Sequence, residues 1–332
     1  MLALVTGANG HLGFNLVRTL LDRGWRVRAS VRTMAAARRG PLGALPAVEL
    51  VEADVRDPQA MRAAMEGIDT LFHAAAVYVL SDPGRAGEIV EVSWRGAETA
   101  LRAAADARVR KVVLTSSIVT LPLTRPGAPP VDESHWTTDL RVPYIRAKTE
   151  AERRAWSLAA ELRLNLVTIL PSGIIGPGFQ RSTPTIDIIE AARRGVFRLG
   201  APRANFTFAD VRDVAVAHVV AAERDAQGRF IVVDVQPSFR TLVRTLHGID
   251  PAIGPPLLTL PSFAAPMLPL YDRITHRLLG APRIATPEVI ATAASGKVFN
   301  VSAARARAEL GWTPSVSFED SLRATLRALN GP

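Results

Sequence analysis

Through the first half of the chain, short runs rich in β-branched and aliphatic residues alternate with longer stretches where Ala, Leu and Arg recur at helical spacing. The short runs near 2–6, 26–32, 47–52, 69–74, 111–116 and 165–170 predict strands. The stretches near 11–23, 58–66, 85–108 and 143–163 predict helices, each long enough to cross back over a sheet. That alternation is the signature of right-handed βαβ units, so the expected fold class is α/β, a doubly wound parallel sheet covered on both faces. After Pro171 the pattern loosens into a Gly/Pro-rich loop, a helix near 184–195, and further sheet-like and helical segments from 205 to 235. Residues 1–171 and about 205–235 are therefore expected to form a nucleotide-binding domain, and 172–204 with 236–332 a smaller, discontinuous C-terminal lobe.

Composition narrows the class. A chain of 332 residues with 48% apolar content reads as a globular protein with a large core. Its formal charge of +9 is nearly all arginine, spread in pairs such as Arg38-Arg39 and Arg193-Arg194, which reads as solvated helix faces; no nucleic-acid partner is expected. The absence of cysteine excludes disulfides, thiolate metal sites and cysteine nucleophiles; it fits a reducing cytoplasm, and no metal site is expected. The chain opens directly on a strand pattern, so no signal peptide is expected and the cytoplasm is the default location. The uncharged stretch from Pro251 to Tyr271 is long enough to span a membrane, but its six prolines would repeatedly break a spanning helix. It reads instead as a proline-bent apolar part of the C-terminal lobe, the alternative being a lid over a greasy substrate.

Candidate chemistry begins at the first strand-to-helix turn. Gly7, Asn9, Gly10, His11, Leu12 and Gly13 lie in TGANGHLG, with glycines three apart where the backbone must turn tightly and approach a pyrophosphate at a helix N-terminus. The second strand ends in Ser30, Val31 and Arg32 without the carboxylate that would bind the ribose diol of NAD, and the guanidinium fork of Arg32 suits a 2′-phosphate. NADP(H) is therefore favoured over NAD(H). Asp54 and Val55 are placed to reach the adenine edge, and Ala74 and Ala75 let backbone run close to the cofactor. His73 is expected to be a packed residue.

The fifth strand delivers Ser116 and Ser117 at the carboxyl edge of the sheet, where open α/β sheets bind ligands. The following helix carries Tyr144 and Lys148 at i, i+4 spacing, on one face. A free phenol has a pKa of about 10, and a neighbouring lysine cation lowers it toward the working range. Tyr144 can then protonate a carbonyl oxygen as hydride arrives from a nicotinamide, Ser117 can hold that oxygen, and Lys148 can also fix the cofactor ribose.

TGANGHLG, the Ser117, Tyr144 and Lys148 set, and the loop Leu170 to Gly178 together resemble the extended short-chain dehydrogenase/reductase family over almost the whole chain. VRASVR, Asp132-Glu133-Ser134-His135-Trp136 and Ala151-Glu152-Arg153-Arg154-Ala155-Trp156 are similar to its dihydroflavonol reductase and cinnamoyl-CoA reductase branch. Phe208 to Ala215 with His218, and Leu310 to Pro314, also match patterns of extended members. The resemblance implies a Rossmann-type domain, the three catalytic roles above, Pro171 and Ile174 bordering the nicotinamide, and Arg32 at the 2′-phosphate. Where many extended members carry Val-Asn-Val-x-Gly, this chain reads Val92-Ser93-Trp94-Arg95-Gly96, and the proline-rich segment from Leu121 to Pro130 departs from the plant flavonoid enzymes.

The expected function is an NADPH-dependent carbonyl reductase, reversible, acting on a hydrophobic or aromatic small-molecule carbonyl or alcohol. Val79, Ile118, Gly173 and Phe179 stand for an apolar substrate lining drawn from 77–80, 118–121, 173–185 and 251–271. A sugar-nucleotide epimerase or dehydratase with tightly bound NAD, and a non-enzymatic NADP-binding regulator, are the alternatives. A homodimer through the helices near 85–108 and 143–163 is expected, without a membrane span.

Overall fold

The computed structural model describes residues 1–75, 86–202, 204–261 and 266–330, so Val79 lies outside the described residues. The chain begins β1 (Leu2–Thr6), α1 (His11–Asp22), β2 (Arg26–Val31), α2 (Met34–Arg39), β3 (Val48–Glu52), α3 (Pro58–Met65) and β4 (Thr70–His73). It continues α4 (Ala86–Asp106), β5 (Lys111–Thr115), α5 (Pro143–Glu161), β6 (Leu166–Pro171), β7 (Gly173–Ile175), α6 (Pro184–Arg193), β8 (Gly200–Pro202) and β9 (Phe208–Asp210). It ends α7 (Val211–Glu223), β10 (Gly228–Val232), α8 (Phe239–Ile249), β11 (Leu258–Leu260), α9 (Leu268–Leu279), α10 (Pro287–Ser295), α11 (Ala304–Leu310) and α12 (Phe318–Leu329).

The main sheet has seven strands in the order β10-β6-β5-β4-β1-β2-β3, and every pairing within it is parallel. β1 pairs with β2 through Ala3 opposite Val27 and with β4 through Ala3 opposite Thr70. Strand order reverses there: β2 and β3 extend to one side, and β4, β5, β6 and β10 to the other. A doubly wound sheet opens a crevice at the carboxyl ends of its strands at this point.

The six strands expected from sequence all join this sheet within a residue or two of their expected bounds. β10 is the seventh, and α2 and β11 were not anticipated. α2 has only six residues, too few to display a helical period.

The central strands are buried on both faces, as their near-continuous apolar runs require. One face is packed with apolar residues of α1, α7 and α11, including Leu16, Val219 and Ala306, and with Trp312 just beyond α11. The other is packed by α3, α4 and α5 through residues such as Met61, Leu101 and Leu158. A third cluster, with Ile189 of α6, Leu242 of α8 and Leu322 of α12, forms the core of the C-terminal part. Residues 301–312 return to the first cluster, so part of the segment 236–332 packs against the main sheet. Among the described residues no helix is long and apolar enough to cross a membrane.

Candidate active site

The turn after β1 is shaped by glycine at two points. Gly7 has φ +68°, and a Cβ there would stand 2.7 Å from the Ala75 Cα, so this backbone touches the backbone leaving β4. A Cβ on Gly13 would lie 2.1 Å from the Gly7 carbonyl oxygen, which explains why the first turn of α1 can close down on the loop. Thr6 ties the two sides together: its Oγ1 accepts from the Ala75 N–H at 3.3 Å and contacts His73 Nδ1 at 3.0 Å. His73 is therefore a partnered, buried residue, as expected, and burial together with the nearby Lys148 pulls its pKa down to about 4.

α1 starts at Gly10 with no side chain capping it, and the Oδ1 of Asn9 is buried without a hydrogen-bond partner. An uncapped helix N-terminus facing a glycine cradle fits the pyrophosphate of a dinucleotide, and the orphaned acceptor beside it fits a donor such as a ribose hydroxyl of the same cofactor. Leu12 offers only backbone there, because its side chain is in the core. His11 donates from Nε2 to the Pro177 carbonyl at 3.1 Å, where Asn15 Nδ2 also donates at 3.0 Å. Burial holds the His11 pKa down to about 4, so the ring is neutral.

Arg32 is exposed immediately beyond the end of β2, within electrostatic reach of Asp54. The Asp54 carboxylate is engaged by Arg56, at 3.0 Å to Nε and 2.6 Å to Nη2, and that pairing lowers its pKa. Val55 packs against α4, where a Cβ on Gly96 would meet its Cγ2 at 2.9 Å. A carboxylate that sequence reasoning missed also reaches this corner. Glu52, at the end of β3, accepts the Met34 N–H at 2.7 Å and so occupies the N-terminus of α2. An acid was sought only on the second strand; the sheet brings one over from the third.

Ser117 lies just past β5 and caps a short 3-10 turn, its Oγ accepting from the Val119 N–H at 3.3 Å. That turn packs against α5. α5 begins with Pro143 in its first turn, where the missing N–H costs nothing, so Tyr144 stands at the helix start and Lys148 one turn on. Tyr144 is only 9% exposed. Desolvation lowers the Lys148 pKa to about 8, against the opposing pull of the Glu152 carboxylate.

Beneath this face lies a buried polar network. Glu152, one turn beyond Lys148, accepts from Ser116 Oγ at 2.7 Å, Thr168 Oγ1 at 2.9 Å and Arg229 Nε at 3.0 Å. The two ion-paired side chains are 1% and 8% exposed. Arg229 also donates to the carbonyls of Glu133 and His135 at 2.7 and 2.8 Å and to Thr120 Oγ1 at 2.8 Å. Its guanidinium lies 3.6 Å from the Trp136 ring centroid, with Arg153 at 5.0 Å from the same ring. The segments 132–136 and 151–156, noticed only as sequence patterns, are thus two walls of one network that fixes α5 and the end of β5.

Other expected residues sit as follows. Pro171 ends β6 in the core, and Ile174 is in the middle of β7, half-buried. Gly173 approaches the Thr207 carbonyl, 2.8 Å from where a Cβ would be. Phe179 packs edge-on to His11 at 5.4 Å between ring centroids, which places it at the glycine-loop end of the crevice. Ile118 is buried in the first core cluster. Arg193 and Arg194 both pair with Glu190, at 2.6 and 2.7 Å, so one carboxylate holds both guanidinium groups and the trio keeps one net positive charge. His218 donates from Nδ1 to the Val214 carbonyl at 2.8 Å and takes the Thr115 hydroxyl at 2.9 Å on Nε2.

Residues 3–234 match the model of the NAD dependent epimerase/dehydratase family. The chain is 35% identical over 245 residues to cinnamoyl-CoA reductase 1 of Arabidopsis thaliana, covering 69% of each chain. It is 33% identical over 326 residues to sterol demethylase protein B of Methylococcus capsulatus, covering 95% of this chain and 94% of that one. Among solved structures, gox2253 superimposes with a TM-score of 0.82 at 28% identity, covering 99% of this chain and 98% of that one.

Proposed function

Since the chain belongs to the NAD-dependent epimerase/dehydratase family, the extended short-chain dehydrogenase/reductases, on their dihydroflavonol reductase-like branch, and is a nicotinamide-dependent oxidoreductase, we propose that it is an NADPH-dependent carbonyl reductase acting on a hydrophobic or aromatic aldehyde or ketone. The observation that supports this is that the three groups lie on neighbouring elements at the carboxyl edge of the sheet. The Ser117 turn packs on α5, Tyr144 is buried at that helix's start, and Lys148 follows one turn later in the neighbourhood of His73.

The residues take these roles. A bound nicotinamide supplies the hydride. Tyr144 donates its phenolic proton to the carbonyl oxygen as negative charge gathers there. The Ser117 hydroxyl donates a hydrogen bond to that oxygen and fixes its position. The Lys148 cation stabilises the phenolate left behind, which makes the phenol a stronger acid. Gly7, Gly10 and Gly13 admit the pyrophosphate to the start of α1, the buried Asn9 Oδ1 is an acceptor awaiting a donor, and Arg32 meets the 2′-phosphate. The relatives named as cinnamoyl-CoA reductases support an aromatic or acyl-linked carbonyl, and the relative named sterol demethylase protein B supports a bulkier apolar one. A nucleotide-sugar substrate draws no support from Arg193 and Arg194, whose guanidinium groups are both held on the Glu190 carboxylate.

The test is to follow oxidation of NADPH and of NADH by the purified protein against aldehydes, ketones, aromatic acyl-CoA thioesters and nucleotide sugars. Net NADPH oxidation with an apolar carbonyl is expected. Turnover of a nucleotide sugar with tightly held NAD and no net oxidation would overturn the reading.

A further inference from the structure

Large apolar side chains are not scattered evenly over this surface. Of the nine that stand exposed among the described residues, eight lie between Leu199 and Leu279. The segments that carry them are joined: Leu258 pairs with Gly200 between β11 and β8, the Leu257 N–H donates to the Arg198 carbonyl at 3.0 Å, and the Tyr271 hydroxyl donates to the Val196 carbonyl. Exposed apolar residues occurring singly are ordinary, whereas a cluster of this kind marks an interface.

α9 supplies the most regular part. Asp272 and Thr275 turn inward and are buried, and Asp272 is paired with Arg283 at 3.0 Å. On the opposite side Leu270, Ile274 and Leu278 recur every fourth residue, at 53%, 47% and 75% exposure, with Met267 a turn earlier at 66%. At about 100° per residue these four fall within an arc of about 80°. Arg273 and Arg277, both exposed, lie along one edge of that arc. The helix bears no acidic side chain on its exposed side, since Asp272 is its only acid.

We propose that this face docks on an anionic lipid surface, with α9 lying in the plane of the interface, its apolar arc among the acyl chains and its arginines among the phosphates. A helix with an apolar arc bordered by cations, too short and too polar to span, is the kind that binds in this way, and arginine stems can lie along the apolar layer while their guanidinium groups reach the phosphates. A second copy of the chain suits the face less well. Self-pairing would bury the arc but bring Arg273 and Arg277 toward a partner helix that offers no acid in return.

The experiment is flotation of the full-length protein with vesicles of phosphatidylcholine alone and of phosphatidylcholine mixed equally with phosphatidylglycerol, at low and high salt. The wild type should float with the anionic vesicles and bind at least tenfold less to neutral ones or at high salt. The triple variant Leu270→Gln, Ile274→Gln, Leu278→Gln, and separately Arg273→Ala with Arg277→Ala, should each bind at least tenfold less. Both sets are on the surface, so thermal unfolding should stay at the wild-type value, and the arginine pair, which lies outside the expected substrate lining, should also leave nicotinamide oxidation without vesicles unchanged. Should the triple variant fail to fold, the arginine pair carries the test. Absence of flotation by the wild type, equal flotation by the variants, or a wild-type dimer that the triple variant converts to monomer would overturn the proposal.

Discussion

Glu152 offers a sharp test of how the catalytic face is held. Changing it to Gln keeps the shape but removes the charge that balances Arg229, and it puts an amide donor where the carboxylate accepts from Ser116, Thr168 and both Nε and Nη2 of Arg229. Both side chains are nearly sealed from water, at 1% and 8% exposure, so solvent cannot take over the lost interactions. Breaking a buried pair of this kind costs about 3–5 kcal/mol, because one charge is left buried and unpaired. For a protein of this size that is a fall in Tm of roughly 4–7 °C. Removing both charges, as Glu152→Leu with Arg229→Met, should cost less than the sum of Glu152→Leu and Arg229→Met made singly, since neither charge is then left buried alone, while the partners of both groups at Ser116, Thr168 and the Glu133 and His135 carbonyls stay lost. The assay is urea or thermal unfolding of the two single variants and the double. A cost below about 1 kcal/mol for Glu152→Gln, or a double variant as unstable as the sum of the singles, would refute the network as described. Glu152 also raises the Lys148 pKa, so its loss should move the basic limb of the reduction rate to lower pH.

Further expectations concern pH and cofactor choice. The Lys148 pKa stands at about 8, so the cation that favours the phenolate is lost as pH rises past that value; the reduction rate measured against pH should fall above about 8. Buried His73 and His218 both have pKa values lowered to about 4. Unfolded imidazoles take up protons near pH 6.5 while the folded ones do not, so unfolding free energy should fall as pH drops from about 6.5 toward 4, and denaturation at stepped pH checks the sign. Arg32→Ala should weaken NADPH about 10- to 100-fold, the worth of a charge-assisted phosphate contact, and leave NADH nearly unchanged. Glu52→Gln, which keeps an acceptor for Met34 but removes the charge, should tighten NADPH about two- to fivefold; titration of both cofactors reads both variants.

The sheet was legible because each central strand is buried on both faces and shows as an apolar run between helices of sufficient length. The glycine turn was legible because close backbone approaches admit few residue types, and the contacts at Gly7 and Gly13 show how close they are. Arg229 was not, since a lone arginine in a strand looks solvated until the fold brings Glu152, 77 positions earlier, to its guanidinium. Glu52 escaped for a related reason: its position beside Met34 depends on β3 lying next to β2, which is a property of strand order rather than of local sequence. The stretch Pro251 to Tyr271 reads as a proline-bent apolar part of the C-terminal lobe or a lid. The arc of α9, which begins inside it and runs on to Leu278, was not legible, because an apolar stretch does not show which of its residues the fold leaves exposed.

The central claim is that Tyr144 is the proton donor of a nicotinamide-dependent carbonyl reduction. The most direct measurement is the steady-state rate of NADPH oxidation by the Tyr144→Phe variant with the best carbonyl substrate of the panel, alongside its cofactor affinity and Tm. The account predicts a fall in kcat of about 10²- to 10⁴-fold with cofactor affinity and folding preserved. A variant that turns over at the wild-type rate would contradict it.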